Sequence, residues 1–108
     1  MTDRRLALLG LGRRAGTVVL GVAGVRARLQ AGRLACVVVA ADAGPRTRDK
    51  VTRLAAARGV PVLVGPLAER LGAALGSAPV QAVGVADAAL ARGLVEAFGG
   101  VRGNDADT

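Results

Sequence analysis

Apolar residues along this chain fall into two alternating rhythms, one of helical spacing and one of short continuous runs. Between Arg4 and Ala15, Leu6, Leu9 and Arg13 share one side of a helix and Leu8 and Leu11 widen its apolar stripe; Gly16 supplies a left-handed stop. Thr17-Val18-Val19-Leu20 is β-branched and short, which predicts an edge strand or a strand-like entry segment. Gly21 opens a tight passage into a second helix, whose inner face is Val22, Val25 and Leu29 and which Gly32 closes.

Leu34 to Ala41 carries no charge and holds three consecutive valines, the pattern of a central strand buried on both faces. Asp42 ends it, Gly44-Pro45 turns the chain, and Thr47 is the expected N-cap of a helix through Arg58 with Val51, Leu54 and Ala55 inward. After a stop at Gly59, Pro61-Val62-Leu63-Val64 reads as a third strand, with proline tolerated at its first position. Pro66 is placed in the first turn of a helix burying Leu67, Leu71 and Leu75. Gly76 to Pro79 forms a loop, Val80 to Ala86 a last strand, and Asp87 caps a closing helix that turns Leu90, Leu94 and either Ala97 or Phe98 inward. Residues 100–108 turn polar and acidic and are expected to be a flexible tail.

This alternation predicts an α/β fold, a three-layer α-β-α sandwich with a mixed, mostly four-stranded sheet and helices on both faces. No internal repeat or second domain is visible, so residues 4–99 are expected to form one domain. A chain of 108 residues buries roughly two-thirds of its unfolded surface, enough to fold without a staple.

Composition narrows the chemistry. The lone cysteine, Cys36, lies within the apolar run and the chain has no histidine, so an inert thiol is expected in place of a nucleophile. Paired carboxylates, a nucleophile with its base and a phosphate-cradling loop are absent; no enzyme activity, metal or cofactor is expected. The segment after Met1-Thr2-Asp3-Arg4-Arg5 is too short and too interrupted for a secretory signal or a membrane span, and a cytoplasmic location follows as the expectation. Phe98 is the one aromatic residue, so base stacking on aromatic rings is excluded as a binding mode.

Net charge is +7, but its distribution says more: residues 1–60 hold twelve bases and three acids, residues 61–108 three bases and five acids. That asymmetry predicts one side facing a polyanion and a neutral back.

Gly10-Leu11-Gly12-Arg13-Arg14-Ala15 resembles a dinucleotide-binding fingerprint only superficially. Gly16 breaks the helix that such a motif should open, and the next acid, Asp42, lies about thirty residues on where about twenty is expected. Gly21-Val22-Ala23-Gly24 is the stronger candidate. A helix N-terminus offers free amides and a partial positive charge, and glycine lets a phosphate or base edge approach. Tight-turn packing explains the same glycines equally well on local grounds; the nearby Arg13, Arg14, Arg26, Arg28 and Arg33 tip the balance towards RNA. Arg46-Thr47-Arg48-Asp49-Lys50 with Arg53 is read chiefly as the solvated face of an amphipathic helix.

Taken together, Leu8-Leu9-Gly10-Leu11, Arg13-Arg14-Ala15-Gly16, Gly21, Gly32, Ala41-Asp42, Thr47 with Lys50, Gly59-Val60-Pro61-Val62, Leu71-Gly72 and Ala74-Leu75-Gly76 resemble, in order and spacing, the ribosomal L7Ae superfamily with its L30e, S12e and Gadd relatives. The likeness spans residues 4 to about 98 and is strongest to the small bacterial branch. It implies an α-β-α sandwich that binds structured RNA, typically a kink-turn, through the turn into the second helix (Gly21 to Ala27) and the loop before the last strand (Ser77 to Val80). Where strong kink-turn binders carry an Asn-Glu pair and a lysine one turn later, this chain has Ala23, Gly24 and Ala27, losing polar groups worth roughly 1–3 kcal/mol per base contact by analogy with groove readout.

The sequence therefore points to a non-enzymatic binder of structured RNA, ribosomal or otherwise kinked, with the ribosome a candidate partner and no membrane or small-molecule cofactor. Gly21, Val22, Ala23 and Gly24 are expected at the contact turn, Arg13, Arg14, Arg26 and Arg28 on phosphates, and Ala78, Pro79 and Val80 against an unstacked base. Two alternatives use the same fold: a Gadd-like protein-interaction module, and an RNA-holding accessory to an RNA-modifying enzyme.

Overall fold

A computed structural model describes residues 3–99; the acidic segment 100–108 lies outside them. Five helices and four strands alternate: α1 (Arg4–Ala15), β1 (Val18–Leu20), α2 (Val22–Gln30), β2 (Cys36–Val39), α3 (Pro45–Ala57), β3 (Val62–Val64), α4 (Ala68–Ala74), β4 (Ala82–Val85) and α5 (Ala88–Ala97). The sheet order is β1-β4-β2-β3. β2 and β3 run parallel, as a strand pair joined through a crossover helix does, while β4 is antiparallel to both β1 and β2. The sheet is thus mixed, β1 is an edge strand and β2 is internal, as its uncharged valine run predicts.

Both internal strands are buried along their whole length, because helices cover both faces: α1, α4 and α5 pack on one side, α2 and α3 on the other. Leu9, Leu71 and Leu94 close the first interface, Val25, Leu29 and Val51 the second, and all six side chains are fully buried. At about 25 cal/mol per Å² of apolar surface removed from water, each contributes roughly 1.5–3 kcal/mol.

Several local expectations are corrected. α3 starts at Pro45 with Gly44 as its cap, two residues before Thr47, because proline at the first helical position gives up an N–H that had no partner anyway. Pro66 does not open α4. Its carbonyl accepts the Ala41 N–H at 2.9 Å, and α4 begins at Ala68, whose N–H donates to Asp42 Oδ1 at 2.9 Å. Leu67 is left outside the helix and is 49% exposed. Leu11 does not widen the inner stripe of α1 either: it is 51% exposed, and the buried position one residue on is Gly12.

Gly12 explains why the resemblance to a nucleotide fingerprint is empty. A Cβ there would meet Leu90 Cδ2 at 2.5 Å and Val18 Cγ1 at 2.8 Å, and one on Gly10 would touch the Ala74 carbonyl at 3.5 Å. These glycines sit inside α1 and let it close on α5, β1 and α4.

Candidate nucleic-acid interface

β1 ends at Leu20, and the chain must then reverse into α2 within one residue. Gly21 does this at φ 94°, ψ 154°, a conformation closed to residues with a Cβ. Its N–H donates to the Ala82 carbonyl at 2.9 Å, extending the β1–β4 ladder, and its carbonyl accepts the Val25 N–H at 3.0 Å. No side chain caps the helix. The amides of Val22, Ala23 and Gly24 therefore point out of the first turn with no intrahelical acceptor, carrying the positive end of the helix dipole.

Ala23 is exposed and Val22 and Gly24 are half-buried. Gly24 has a structural duty of its own. A Cβ at this position would lie 2.7 Å from Val19 Cγ2, so glycine is what lets α2 lie close on the edge strand.

The second predicted contact segment reaches the same place. Ser77 donates its N–H to the Gly72 carbonyl at 2.8 Å and Val80 to the Ala68 carbonyl at 3.2 Å, while Ser77 Oγ–H donates to the Ala78 carbonyl at 2.7 Å. Gly72 makes room for this: a Cβ there would lie 2.9 Å from Pro79 Cα and would also strike the Ala78 carbonyl. The loop is thus held against α4, presenting Ala78 and Pro79 to solvent with Val80 half-buried. Since β4 starts at Ala82, the loop ends beside the hydrogen bond that ties Gly21 down. One end of the sheet accordingly carries both Gly21 to Gly24 and Ala78 to Val80.

The arginines do not follow. Arg13 and Arg14 close α1, in the layer opposite α2, and lead into the far end of β1, where Ala86 N–H donates to the Thr17 carbonyl at 2.9 Å. Arg26 and Arg28 lie on one helix but two residues apart, which is about 200° of rotation, so they cannot serve one face. Arg26 turns towards α3. There it meets Lys50, Arg53, Leu54 and Ala57 around a shallow groove of about 400 Å³ that Gln30 completes. The expected convergence of Arg13, Arg14, Arg26 and Arg28 on the turn is therefore corrected: Arg26 alone of the four comes near α3, one helical turn from the Gly21 to Gly24 amides.

Lys50 falls within the stripe that the sequence marks as solvated, and that stripe is real in part. Arg53 pairs with Asp49 at 3.2 Å, with both side chains largely exposed, and Arg48 Nη2 donates to the Ala41 carbonyl at 2.8 Å. The four-residue steps Arg26 to Gln30 and Arg46 to Lys50 to Leu54 are the available signal for a groove, but nothing in the sequence states that α2 and α3 are neighbours.

Elsewhere ionisable groups are held in place. Asp3 accepts from Arg5 Nη2 at 2.8 Å and Nε at 3.1 Å. Chiefly through the hydrogen bond from this side chain, its carboxyl is lowered to about 2 and the Arg5 guanidinium is raised in turn. Burial pushes the Cys36 thiol up to about 12, so it stays protonated and packs as a small apolar group.

The fold and its edge define a small basic α-β-α sandwich with an open helix N-terminus facing a pinned loop. The chain belongs to the Ribosomal protein L7Ae/L30e/S12e/Gadd45 family, whose model matches residues 6–95. Among solved structures it is similar to a protein with unknown function from Bacillus halodurans C at 31% identity and a TM-score of 0.88, covering 91% of this chain and 99% of that one. It is also similar in fold to the Giardia lamblia 15.5kD RNA binding protein, at 23% identity and a TM-score of 0.75, covering 87% of this chain and 81% of that one. No curated protein matches it.

Proposed function

We propose that the protein binds structured RNA, ribosomal or otherwise kinked, without catalysing a reaction on it. The observation that carries this reading is the meeting of the open first turn of α2 with the Ala78 to Val80 loop, one hydrogen bond apart at Gly21 and Ala82. Family membership and the similarity to a protein named for RNA binding support it. RNA phosphate docks on the free amides of Val22, Ala23 and Gly24, and Ala78, Pro79 and Val80 cover an unstacked base with aliphatic surface. Arg28 on one side of α2, and Arg13 and Arg14 beyond the far end of β1, add phosphate attraction at longer range.

With alanine and glycine at positions 23, 24 and 27, recognition rests on backbone shape more than on base edges. The domain spanning residues 4–99 acts in the cytoplasm and partners ribosomal RNA or the ribosome. Among the described residues no helix is long and apolar enough to cross a membrane, and no group of three or more His, Cys, Asp or Glu side chains converges.

The test is a salt-titrated binding assay with kink-turn, stem-loop and duplex RNA. Preference for the kinked or looped RNA over the duplex is the expected result. Equal absence of binding to all three at low salt refutes the reading, and a partner captured independently of nuclease treatment would favour the protein-interaction module.

A further inference from the structure

Eight of the chain's fifteen bases, Arg26 to Arg58, lie on α2, α3 and their connections, against two acids in the same stretch. Both acids are engaged: Asp42 accepts the Ala68 N–H and Asp49 pairs with Arg53. Arg26 on α2 and Lys50 on α3 both line the α2–α3 groove, and neither makes a side-chain hydrogen bond or ion pair among the described residues. Two exposed cations without an acidic partner on one groove make it a place of positive potential that attracts an anion.

We propose that the α2–α3 groove is a second RNA-binding surface, taking the phosphodiester backbone of the strand that continues from the segment held at Gly21 to Gly24. Position supports this occupant. Arg26 lies four residues beyond Val22, about 6 Å along the helix axis, so a strand leaving the first turn of α2 crosses the groove next. The floor supports it too. Leu54 is half-buried and Ala57 is small, which leaves an acidic peptide little apolar surface to anchor on, whereas a sugar-phosphate backbone needs none.

This inference rests on the proposed RNA binding, and the experiment separates the two. The full chain, the double variant Arg26→Gln/Lys50→Gln and the control Arg92→Gln on α5 are titrated against two kink-turn RNAs. One ends at the kink and the other continues into a longer flanking duplex. Each phosphate neutralised by the protein steepens the fall in affinity between 50 and 200 mM salt by about three- to fourfold. On the longer RNA the double variant, with two fewer cations, should therefore show a fall about tenfold smaller than the parent chain's, with Arg92→Gln unchanged and all proteins alike on the short RNA. All three substitutions are at exposed positions, and matching thermal unfolding curves certify the fold. If the parent chain binds the longer RNA and the double variant matches it at every salt concentration, the groove does not touch RNA and the RNA-binding reading survives. If Arg92→Gln weakens binding as much, net charge alone accounts for the effect and the groove proposal falls. If the parent chain binds neither RNA, both proposals fall.

Discussion

The two helical layers that sandwich the sheet use the same side chain in opposite ways. In the layer of α1, α4 and α5, Arg5 grips Asp3 and lies over the Phe98 ring at 5.1 Å, and Arg70 Nη2 approaches the same carboxylate at 3.9 Å. One aspartate at the N-cap of α1 thereby meets arginines of α1 and α4, and Arg5 also reaches the ring that caps the end of α5. Six bases there meet four acids. On the α2–α3 side eight bases meet two acids, and those acids serve the backbone of α4 and a neighbouring arginine. On the first face Arg5 and Arg70 are mortar between helices; on the second the bases exceed the acids by six. The asymmetry of charge along the chain is therefore not the asymmetry in space, since Arg4, Arg5, Arg13 and Arg14 belong to the first layer although they fall in the basic half of the sequence.

The contrast concerns surfaces, so it should vanish in the core, and that is where the largest effects lie. Leu9→Ala beneath α1 and Leu29→Ala beneath α2 are each expected to cost about 2–5 kcal/mol in urea unfolding; a cost below about 1 kcal/mol on either side would show that one layer is only loosely attached. Next comes Gly24→Glu. It supplies the carboxylate that the resemblance implies for kink-turn binders at this position, but it drives a Cβ to within 2.7 Å of Val19, and about 1–3 kcal/mol of stability should be lost to overpacking. Full stability in that variant would mean that α2 can shift on β1.

Asp3→Ala should remove about 1 kcal/mol through the missing cap. This difference has a pH signature. The carboxyl is lowered from 3.8 to about 2 in the folded protein, so its stabilisation is complete above the unfolded value and is lost as pH falls from about 4 towards 2. The gap between wild type and variant in thermal unfolding should be widest at neutral pH and close across that window; a gap that persists unchanged at pH 2 would leave only the helix cap, not the ion pair, as its source. The smallest effect is Ala27→Lys, at an exposed helical position. Stability should not change, while RNA affinity should gain about a three- to fourfold steeper dependence between 50 and 200 mM salt, read in the same kind of titration. An unchanged slope would place Ala27 off the RNA path.

Much of the architecture was legible in local pattern because local physics sets it. Periodicity marks which face of α2 or α3 is apolar, a charge-free valine run can only be an internal strand, and Gly16 or Gly21 stands where the backbone must adopt a positive φ. Where local pattern misleads, at Leu11, Leu67 and the starts of α3 and α4, the deciding partner is often distant in sequence: Asp42 caps α4 across 26 residues, and no window around Ala68 contains it. The contact turn and the Ala78 to Val80 loop could be named from the resemblance. That they share one end of the sheet depends on β4 pairing antiparallel with β1.

By itself, then, the sequence determined the order and type of the elements, the buried faces of α2 and α3, the inert cysteine and the excess of positive charge, all properties of residues and their immediate neighbours. Only the tertiary structure decided where that charge acts. Which helices become neighbours follows from the strand order β1-β4-β2-β3, and it is this long-range pairing that sets Arg26 against Lys50 and carries Arg13 and Arg14 to the opposite face.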